Sequence, residues 1–429
     1  CKFDQKTYSS YCIESSTFKD CTSLVEFTTD IYSTMVSNDA FDGCTSFTVL
    51  IIDIEEEELG NFNKKPYQTV THVVVPDKVK KFCWRCFMNF KSLKEINFPP
   101  CLENIESESF AKCESLEHIE IPNKVVSIEE SCLYKCKSLK KVKLHEYITN
   151  IKKSSFSYCT SLEHIIIPRK VKCISESVFS NCINLRNIKI ENNITEIEKE
   201  SFYGCENLEE INIPSSVCNI GIGTFSYCKK LKKVNIESPI NEIKENTFSY
   251  CSSLKKINIP NTVHKIKCSS FAYCSSIEKI KLPESINEIG DNAFEGCQEL
   301  KEIKIPRSIK NFLKYAFKNC SSLSTVTIPK SIKSIECGVF YGCSNLISVI
   351  IEGDINKISE KSFSKCESLT QINIPASVKT IGSKAFEGCT SLTKLDLPPR
   401  IESLGSNCFK NCQKVLNLAI YFSRYDIKF

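Results

Sequence analysis

The 429-residue chain has little glycine, histidine and tryptophan, with thirteen, five and one residue of each type. It contains no glycine-rich loop that could cradle a phosphate, no nucleophile elbow and no metalloprotease helix signature. It also lacks any run of about eighteen apolar residues, and the longest near-candidate, Val415 to Phe422, is far too short to cross a bilayer. We therefore predict neither one of these enzyme sites nor a membrane span in this segment.

What the chain does contain is a sequence repeat with a period of twenty-three. A phenylalanine, or in one case a leucine, fills fifteen consecutive positions at this interval, from Phe87 through Leu133 to Phe409, and Phe18 and Phe41 lie in the same register. The units share the frame V-x-x-I-x(4)-F-x-x-C-x-x-L-x-x-I-x-I-P. A fixed period of this length is typical of a solenoid, in which each coil is too small to bury its own apolar side. The sequence predicts eighteen coils, one of them degenerate.

Each coil is predicted to contribute two inward-facing segments. The Leu-x-x-Ile-x-Ile segment alternates at period two and ends at proline, so we expect short strands that stack into a parallel sheet. The Val-x-x-Ile segment is the second, and the stretch before each phenylalanine suits a short helical turn. We predict one solenoid domain over residues 1–429, made of N-terminal repeats (1–54), a degenerate repeat region (55–86), regular repeats (87–414) and a C-terminal cap (415–429).

The degenerate coil departs from the frame at two core positions. The ring position falls on Lys64, and Tyr67 stands where cysteine belongs. An acidic run from Glu55 to Glu58 precedes them. Because core residues are missing, we expect the stack of coils to be interrupted or bent there.

Cysteine is the next informative residue type, with 27 in the chain. Sixteen occupy one slot, three residues after the ring: Cys21, Cys44 and a run from Cys113 to Cys412. Because this slot lies between two core positions, we interpret these residues as small buried thiols and not as disulfides or metal ligands. The other eleven have no cysteine at the same position of the neighbouring coils, which excludes disulfides between stacked positions for this set. An odd total and unpaired thiols favour a reducing compartment.

Two further groups have residue types that can form chemical sites. Cys83 and Cys86 have the C-x-x-C spacing of redox pairs and of half a zinc site, but Cys86 occupies a small-residue slot and nothing nearby completes four ligands. His72, His118 and His164 share an exposed strand slot, yet two coils, or roughly 10 Å, separate each from the next. We predict no catalytic, cofactor or metal site, and an enzyme that uses the two cysteines is a disfavoured alternative.

Lysines recur at the outward strand positions, eight and ten residues after the ring. The predicted partner-binding residues are Lys141, Lys143, Lys233, Lys256, Lys279, Lys281 and Lys304. A row of charges gains from matching a row of opposite charges, so we expect an acidic, extended partner such as a filament or an acidic tail, with a sulfated glycan as an alternative. Nucleic acid is disfavoured, because no aromatic residues alternate with the lysines and arginine is scarce in the row. Glu210 and Glu302 interrupt the row, so an ordinary solvated surface is the competing interpretation.

The order Phe-x-x-Cys-x-Ser-Leu-x-x-Ile-x-Ile-Pro, as in residues 248–260, closely resembles the BspA-type leucine-rich repeat. The resemblance covers nearly the whole chain. It implies an α/β leucine-rich-repeat solenoid, right-handed and curved, with no catalytic residues of its own. Members of this family are known chiefly as surface and adhesion proteins of host-associated bacteria and parasitic protists, so the resemblance says more about fold than about function.

Two functions are consistent with these features. The first is a non-catalytic protein-binding or scaffold protein that uses its strand face. Unbridged thiols favour placing it inside the cell, in the cytoplasm or along a cytoskeletal polymer. The second, which the family resemblance favours, is a cell-surface or secreted adhesin that binds host protein or glycan.

Overall fold

The computed structural model describes residues 11–30, 34–62 and 67–414. Lys64 and the predicted cap at 415–429 lie outside these residues. The chain divides into two compact units, Cys1–Leu208 and Glu209–Phe429. Within its described residues each unit is a parallel β-solenoid, and the turns number about 17 in the part of the chain described. The count of eighteen coils and the division of a single domain at the predicted boundaries therefore stay predictions.

The first unit is built from strands of two to four residues. In chain order they are β1 (Tyr11–Ile13), β2 (Glu26–Thr29), β3 (Thr34–Val36), β4 (Val49–Ile52), β5 (Glu58–Leu59), β6 (His72–Val74), β7 (Lys81–Phe82), β8 (Glu95–Asn97), β9 (Asn104–Ile105), β10 (His118–Glu120), β11 (Ser127–Ile128), β12 (Lys141–Lys143), β13 (Asn150–Ile151), β14 (Cys173–Ile174) and β15 (Glu196–Ile197). The even-numbered strands from β2 to β12 form one row, which we call the strand face, and the others form a second row. Strands pair in parallel with the strand one repeat away, as Leu50 does with Val73.

The second unit has the same two rows. Its strands are β16 (Glu210–Ile213), β17 (Asn219–Ile220), β18 (Lys233–Ile236), β19 (Glu242–Ile243), β20 (Lys256–Asn258), β21 (Lys265–Ile266), β22 (Lys279–Ile280), β23 (Glu288–Ile289), β24 (Glu302–Ile303), β25 (Asn311–Phe312), β26 (Thr325–Ile328), β27 (Ser334–Ile335), β28 (Ser348–Ile351), β29 (Lys357–Ile358), β30 (Gln371–Asn373), β31 (Thr380–Ile381), β32 (Lys394–Asp396) and β33 (Ser403–Leu404). The even-numbered strands form its strand face. Ile211 pairs with Val234, again exactly one repeat further along the chain, so the predicted parallel sheet and period are confirmed.

The core of each unit lies between its two rows of strands. Successive side chains of a strand point to opposite faces, so only alternate residues can be buried. On β18, Val234 and Ile236 are buried, whereas Lys233 faces solvent. The alternation in the sequence therefore predicts correctly which side chains point inward.

The phenylalanine rings stack on one another inside both units. In the second unit, Phe271 stacks on Phe248 with ring centroids 5.5 Å apart and on Phe294 with centroids 5.3 Å apart. In the first unit, the centroids of Phe156 and Phe179 are 5.7 Å apart. All five residues are fully buried. Stacked rings gain more than the burial of their area alone, so neighbouring coils stabilise each other.

Phe62 supplies the ring that the degenerate coil lacks at its expected position. It is fully buried and stacks on Phe87, with ring centroids 5.9 Å apart and the planes inclined by 5°. Tyr67, in the cysteine slot, is buried as well. Strand β6 pairs with both β4 and β8 in the register of the repeat, so the expected interruption of the sheet does not occur here. The reason is that a ring from another position fills the core.

The segment around each ring consists of β-turns. The residues two before and two after Phe248, Asn246 and Tyr250, both have positive φ, 55° and 60°. Alternate backbone N–H groups donate to the next coil, as from Phe248 to the carbonyl of Ser270 at 2.8 Å. An α-helix would keep these donors within its own segment. The described residues contain no helix, so the predicted short helical turns are not confirmed.

The cysteines of the repeated slot are buried thiols that also donate hydrogen bonds. Cys274 Sγ donates to the carbonyl oxygen of Phe248 in the preceding coil at 3.0 Å, and the N–H of Cys251 donates to the same oxygen at 3.2 Å. No described cysteine forms a disulfide. Burial is thus confirmed for most of the slot, whereas Cys21, near the start of the described residues, is exposed. The thiol supplies a donor that an apolar side chain of similar size would lack.

The ring stack makes a direct prediction about stability. Replacing Phe248 with alanine removes a ring that contacts Phe225 and Phe271, and the cavity should lower the free energy of unfolding by roughly 3 to 5 kcal/mol. Urea denaturation followed by circular dichroism measures this loss. As a control, Ile347→Ala truncates an exposed apolar residue of the same unit and should cost less than about 0.5 kcal/mol. Equal losses for the two variants would contradict a shared ring core.

The buried thiols also predict a loss of stability at alkaline pH. Burial raises the pKa of Cys297 and of Cys343 to about 12, because a thiolate is poorly solvated in the core. In the unfolded chain the pKa of the same thiols is about 8.5. Above that pH the unfolded state loses protons that the folded state keeps. The free energy of unfolding therefore falls as pH rises towards the folded pKa, by about 1.4 kcal/mol per pH unit for each such thiol.

Paired variants isolate this contribution. Cys297→Ala should make the decline in the free energy of unfolding shallower by about 1.4 kcal/mol per pH unit between about pH 9 and 11. Cys218→Ala removes an exposed thiol of the same unit and should leave the decline unchanged. Urea denaturation at a series of pH values gives both slopes. If Cys297→Ala follows the wild-type slope, the buried thiols do not govern alkaline stability.

Candidate partner-binding surface

The seven lysines predicted to bind a partner all lie on strand faces or directly beside them. Lys141 and Lys143 belong to β12 of the first unit. The other five belong to the second unit: Lys233, Lys256, Lys279, Lys281 and Lys304.

In the second unit, two lysines oppose each other across neighbouring strands. Lys233 on β18 is the register partner of Lys256 on β20, at a strand spacing of about 4.8 Å. Like charges in direct opposition destabilise a sheet. The ammonium of Lys233 lies 3.9 Å from the carboxylate of Glu210, whereas Lys256 forms no ion pair with any described residue. The fold therefore gains nothing from the charge of Lys256.

The remaining lysines of this group also differ in whether they form an ion pair. Lys279 forms an ion pair with Glu302 on the next strand of the face. Lys304 Nζ lies 2.9 Å from Glu284 Oε1, and this contact lowers the pKa of Glu284. Lys281 forms no ion pair within the described part of the chain. Exposed ion pairs contribute at most about 1 kcal/mol, so a charged partner can compete for the paired lysines as well.

A second set of lysines flanks the face and is largely neutralised. Lys232 Nζ is 2.8 Å from Glu209, and Lys301 Nζ is 2.8 Å from Glu278. The hydrogen bond between the latter two raises the pKa of Lys301 and lowers that of Glu278. These pairs connect neighbouring coils, so their charges already serve the fold. Lys256 and Lys281 differ from them because they form no ion pair with a described residue.

Further along the second unit, the strand face becomes uncharged and partly apolar. The outward residues of β26 and β28 include Thr325, Thr327 and Ser348. Ile350 is 57% exposed, and Ile347, just before β28, is 50% exposed. Contiguous exposed apolar groups on a surface mark candidate contact sites. This patch was not predicted from the sequence, although an isoleucine in an outward slot was an available signal.

In the first unit the predicted residues have mixed surroundings. Lys143 Nζ lies 2.5 Å from Glu120, whereas Lys141 opposes His118 and has no carboxylate partner in the described residues. His72 lies 2.9 Å from Glu95. His164 forms an isolated β-bridge with Asn187, and its Nε2 lies 4.0 Å from Glu163 Oε2. The histidines thus occupy separate coils, and among the described residues no histidine belongs to a cluster of potential metal ligands.

The C-x-x-C pair lies in surroundings that disfavour the thiolate form of both cysteines. Cys86 is fully buried, and burial raises the pKa of its thiol far above the ordinary value. Cys83 is partly buried, and its pKa is raised for the same reason. A thiol is nucleophilic as the thiolate, which both environments disfavour. A structural role for the pair stays a prediction.

One group of potential metal ligands went unnoticed in the sequence. Donor atoms of Cys173, Glu196 and Glu198 lie within 4.8 Å of one another. Cys173 and Glu196 are register partners, as the period of the repeat predicted. Burial, and then the nearby carboxylates, raise the pKa of Cys173 to about 12, which disfavours a thiolate ligand. This group therefore does not change the prediction of no metal site.

In the part of the chain that the structure describes, no helix has the length and apolar character needed to cross a membrane.

A family model described as "BspA type Leucine rich repeat region" matches six copies, over residues 4–99, 58–186, 172–301, 264–392 and 356–427. A search of curated proteins found no match.

Several solved structures resemble this one. A leucine-rich repeat protein from Bacteroides ovatus is 30% identical, with 73% of this chain and 90% of that chain covered and a TM-score of 0.65. A leucine-rich repeat protein from Eubacterium ventriosum is 22% identical, with coverage of 65% and 84% and a TM-score of 0.49. A leucine rich cell surface protein from Faecalibacterium prausnitzii is 27% identical, with coverage of 81% and 82% and a TM-score of 0.44.

Proposed function

Because the chain belongs to the BspA-type leucine-rich repeat proteins, we propose that it is a non-catalytic protein-binding scaffold. The proposed binding surface is the strand face of the second unit. It comprises Lys233, Lys256, Lys279, Lys281 and Lys304, together with the apolar patch at Ile347 and Ile350. Lys141 and Lys143 are proposed contacts on the first unit.

The placement of Lys256 is the observation that supports this proposal most strongly. On paired strands its column reads Glu210, Lys233 and Lys256, and Lys279 and Glu302 occupy the same position one and two repeats further, in the next sheet. Alternating charges would stabilise such a column, whereas three successive lysines repel one another. This repulsion lowers the stability of the free protein. An acidic partner would supply the negative charge that offsets it.

The chemistry of the face defines the partner that it fits. Acidic groups would lie over the lysines, and an apolar side chain would contact Ile350. A partner that reaches both regions must be extended along several coils. The comparisons do not support the cytoskeletal polymer considered from the sequence, so we propose an acidic, extended protein segment without assigning it to a filament.

Charge reversal tests the face with a synthetic acidic peptide that ends in leucine. Replacing Lys233, Lys256, Lys279 and Lys281 with glutamate should weaken binding at least roughly tenfold and reduce its dependence on salt. Fluorescence anisotropy of the labelled peptide measures both. The single variant Lys256→Glu should keep or raise the melting temperature, because it places opposite charges beside Lys233 and Lys279.

The matched control reverses charges in the same unit away from the strand face. The double variants Lys310→Glu with Lys333→Glu and Lys256→Glu with Lys281→Glu change the net charge equally. The first should leave peptide binding nearly unchanged, because its residues lie away from the strand face, and the second should weaken it. Equal weakening by the two double variants would show that net charge alone drives binding. Wild-type affinity in the quadruple variant would refute the strand face as the binding surface.

Family resemblance favours a second candidate, a surface or secreted adhesin, and the state of the thiols separates the two. The described cysteines form no disulfide, and Cys12, Cys218 and Cys268 are exposed. In an intracellular scaffold, alkylation of the natural protein after denaturation without reduction should modify nearly all cysteines. Mass spectrometry counts them. Cysteines mostly blocked as disulfides would support the adhesin instead.

A further inference from the structure

A groove crosses the second strand row of the first unit, apart from the strand face. Its deeper part is a cavity of about 640 Å³, lined by Trp84, Val126 and four glutamates, among others. A shallower hollow adjoins it and shares Val126, with Tyr147 and Lys170 in its lining. We call this surface the Trp84 groove.

The deeper part of the Trp84 groove is acidic. Its described lining contains Glu58, Glu103, Glu106 and Glu129, with Lys81 as the one cationic side chain among these residues. Lys81 Nζ lies 3.4 Å from Glu58 and 3.1 Å from Glu106. One ammonium is thus shared between two carboxylates.

The other two carboxylates pair with lysines that do not line the deeper part, although Lys124 lines the adjoining hollow. Glu129 is held by Lys152 at 2.6 Å, while Glu103 is 3.9 Å from Lys124. The pair at Glu103 is loose and about half exposed, so an incoming cation can replace Lys124 at little cost. Glu103 is therefore the carboxylate best placed to exchange partners.

Trp84 is an ordered aromatic surface at the edge of this acidic cavity. Its backbone N–H donates to Glu106 at 2.8 Å, and its indole N–H donates to Glu108 at 3.3 Å. The guanidinium of Arg85 lies 4.0 Å from the ring centroid and is itself bound by Glu108. Despite these contacts the residue is 49% exposed. The site therefore already shows that this indole accepts a stacked guanidinium beside carboxylates.

Apolar contacts extend the groove beyond Trp84. Val126 is 49% exposed and Tyr147 48% exposed, and Lys170 lies over the ring of Tyr147 at 4.9 Å. From Glu58 to Thr149 the lining crosses four coil steps of about 4.8 Å. This length of about 19 Å fits an extended peptide of about six residues.

We propose that the Trp84 groove binds an extended, arginine-bearing segment of a partner protein. The arginine guanidinium stacks on Trp84 and pairs with Glu103, and neighbouring apolar side chains cover Val126 and Tyr147. Arginine fits better than lysine, because a planar guanidinium can stack on the ring and bind a carboxylate at the same time. This partner chemistry is opposite in charge to that proposed for the strand face, so the two proposals stand or fall independently.

The only tryptophan of the chain provides a direct readout at this position. Short oligo-arginine, oligo-lysine, oligo-serine and oligo-glutamate peptides of equal length are titrated into the full chain while Trp84 emission is recorded, and calorimetry measures the same titrations. Oligo-arginine should change the emission saturably and bind more tightly than oligo-lysine. Oligo-serine and oligo-glutamate should produce no saturable change.

Two matched double variants locate the binding. Glu58→Gln with Glu103→Gln should weaken oligo-arginine binding roughly tenfold. The control variant, Glu114→Gln with Glu117→Gln, removes the same amount of charge elsewhere in the unit, and like the first variant it breaks two ion pairs. It should change the affinity less than about twofold. Melting curves verify that both variants fold.

Four outcomes would overturn the proposal. The first is calorimetric binding of oligo-arginine with unchanged Trp84 emission, which places the peptide elsewhere. The second is equal weakening by the two double variants, which indicates attraction by net charge only. The third is a saturable change of Trp84 emission with oligo-glutamate at concentrations as low as those of oligo-arginine. The fourth is no binding of oligo-arginine.

Discussion

Each coil of this protein buries its apolar side only against the coils before and after it, and the rest of the structure depends on this constraint. The strands keep the register of the repeat because a slip by one position would turn Val234 and Ile236 to solvent and Lys233 into the core. The stacked rings of Phe248 and Phe271 lie in the same register. A missing ring can be replaced from a nearby position, as Phe62 does, but the register itself is kept.

The repeated cysteine has its explanation inside this register. In the regular coils the carbonyl of the ring residue accepts a backbone N–H from its own coil and a thiol from the following one, as the contacts of Cys251 and Cys274 with Phe248 show. A small, polarizable side chain with one donor suits a slot that is both apolar and next to a carbonyl. Abundant cysteine therefore reflects packing, and the raised pKa of these thiols makes them poor nucleophiles.

Because inward positions are constrained, differences between coils are concentrated at outward positions. Many outward charges form pairs between neighbouring coils, as Lys232 and Glu209 do. The functional proposals rest on outward residues of a different kind: Lys256, whose charge opposes another lysine, and Ile350, which exposes an apolar side chain on a strand. In the first unit, Trp84 presents an ordered ring beside carboxylates.

By itself, the sequence determined the period, the inward-facing residues and the family, since a repeating apolar pattern encodes strand register directly. It also placed the lysines of the strand face correctly. Only the tertiary structure decided that the segments around the rings are β-turns, because residues such as Tyr250 do not reveal the sign of their φ angle. It likewise decided which lysines are neutralised and that Trp84 and Glu103 share a groove. These features depend on distances between side chains of different coils, which no single repeat contains.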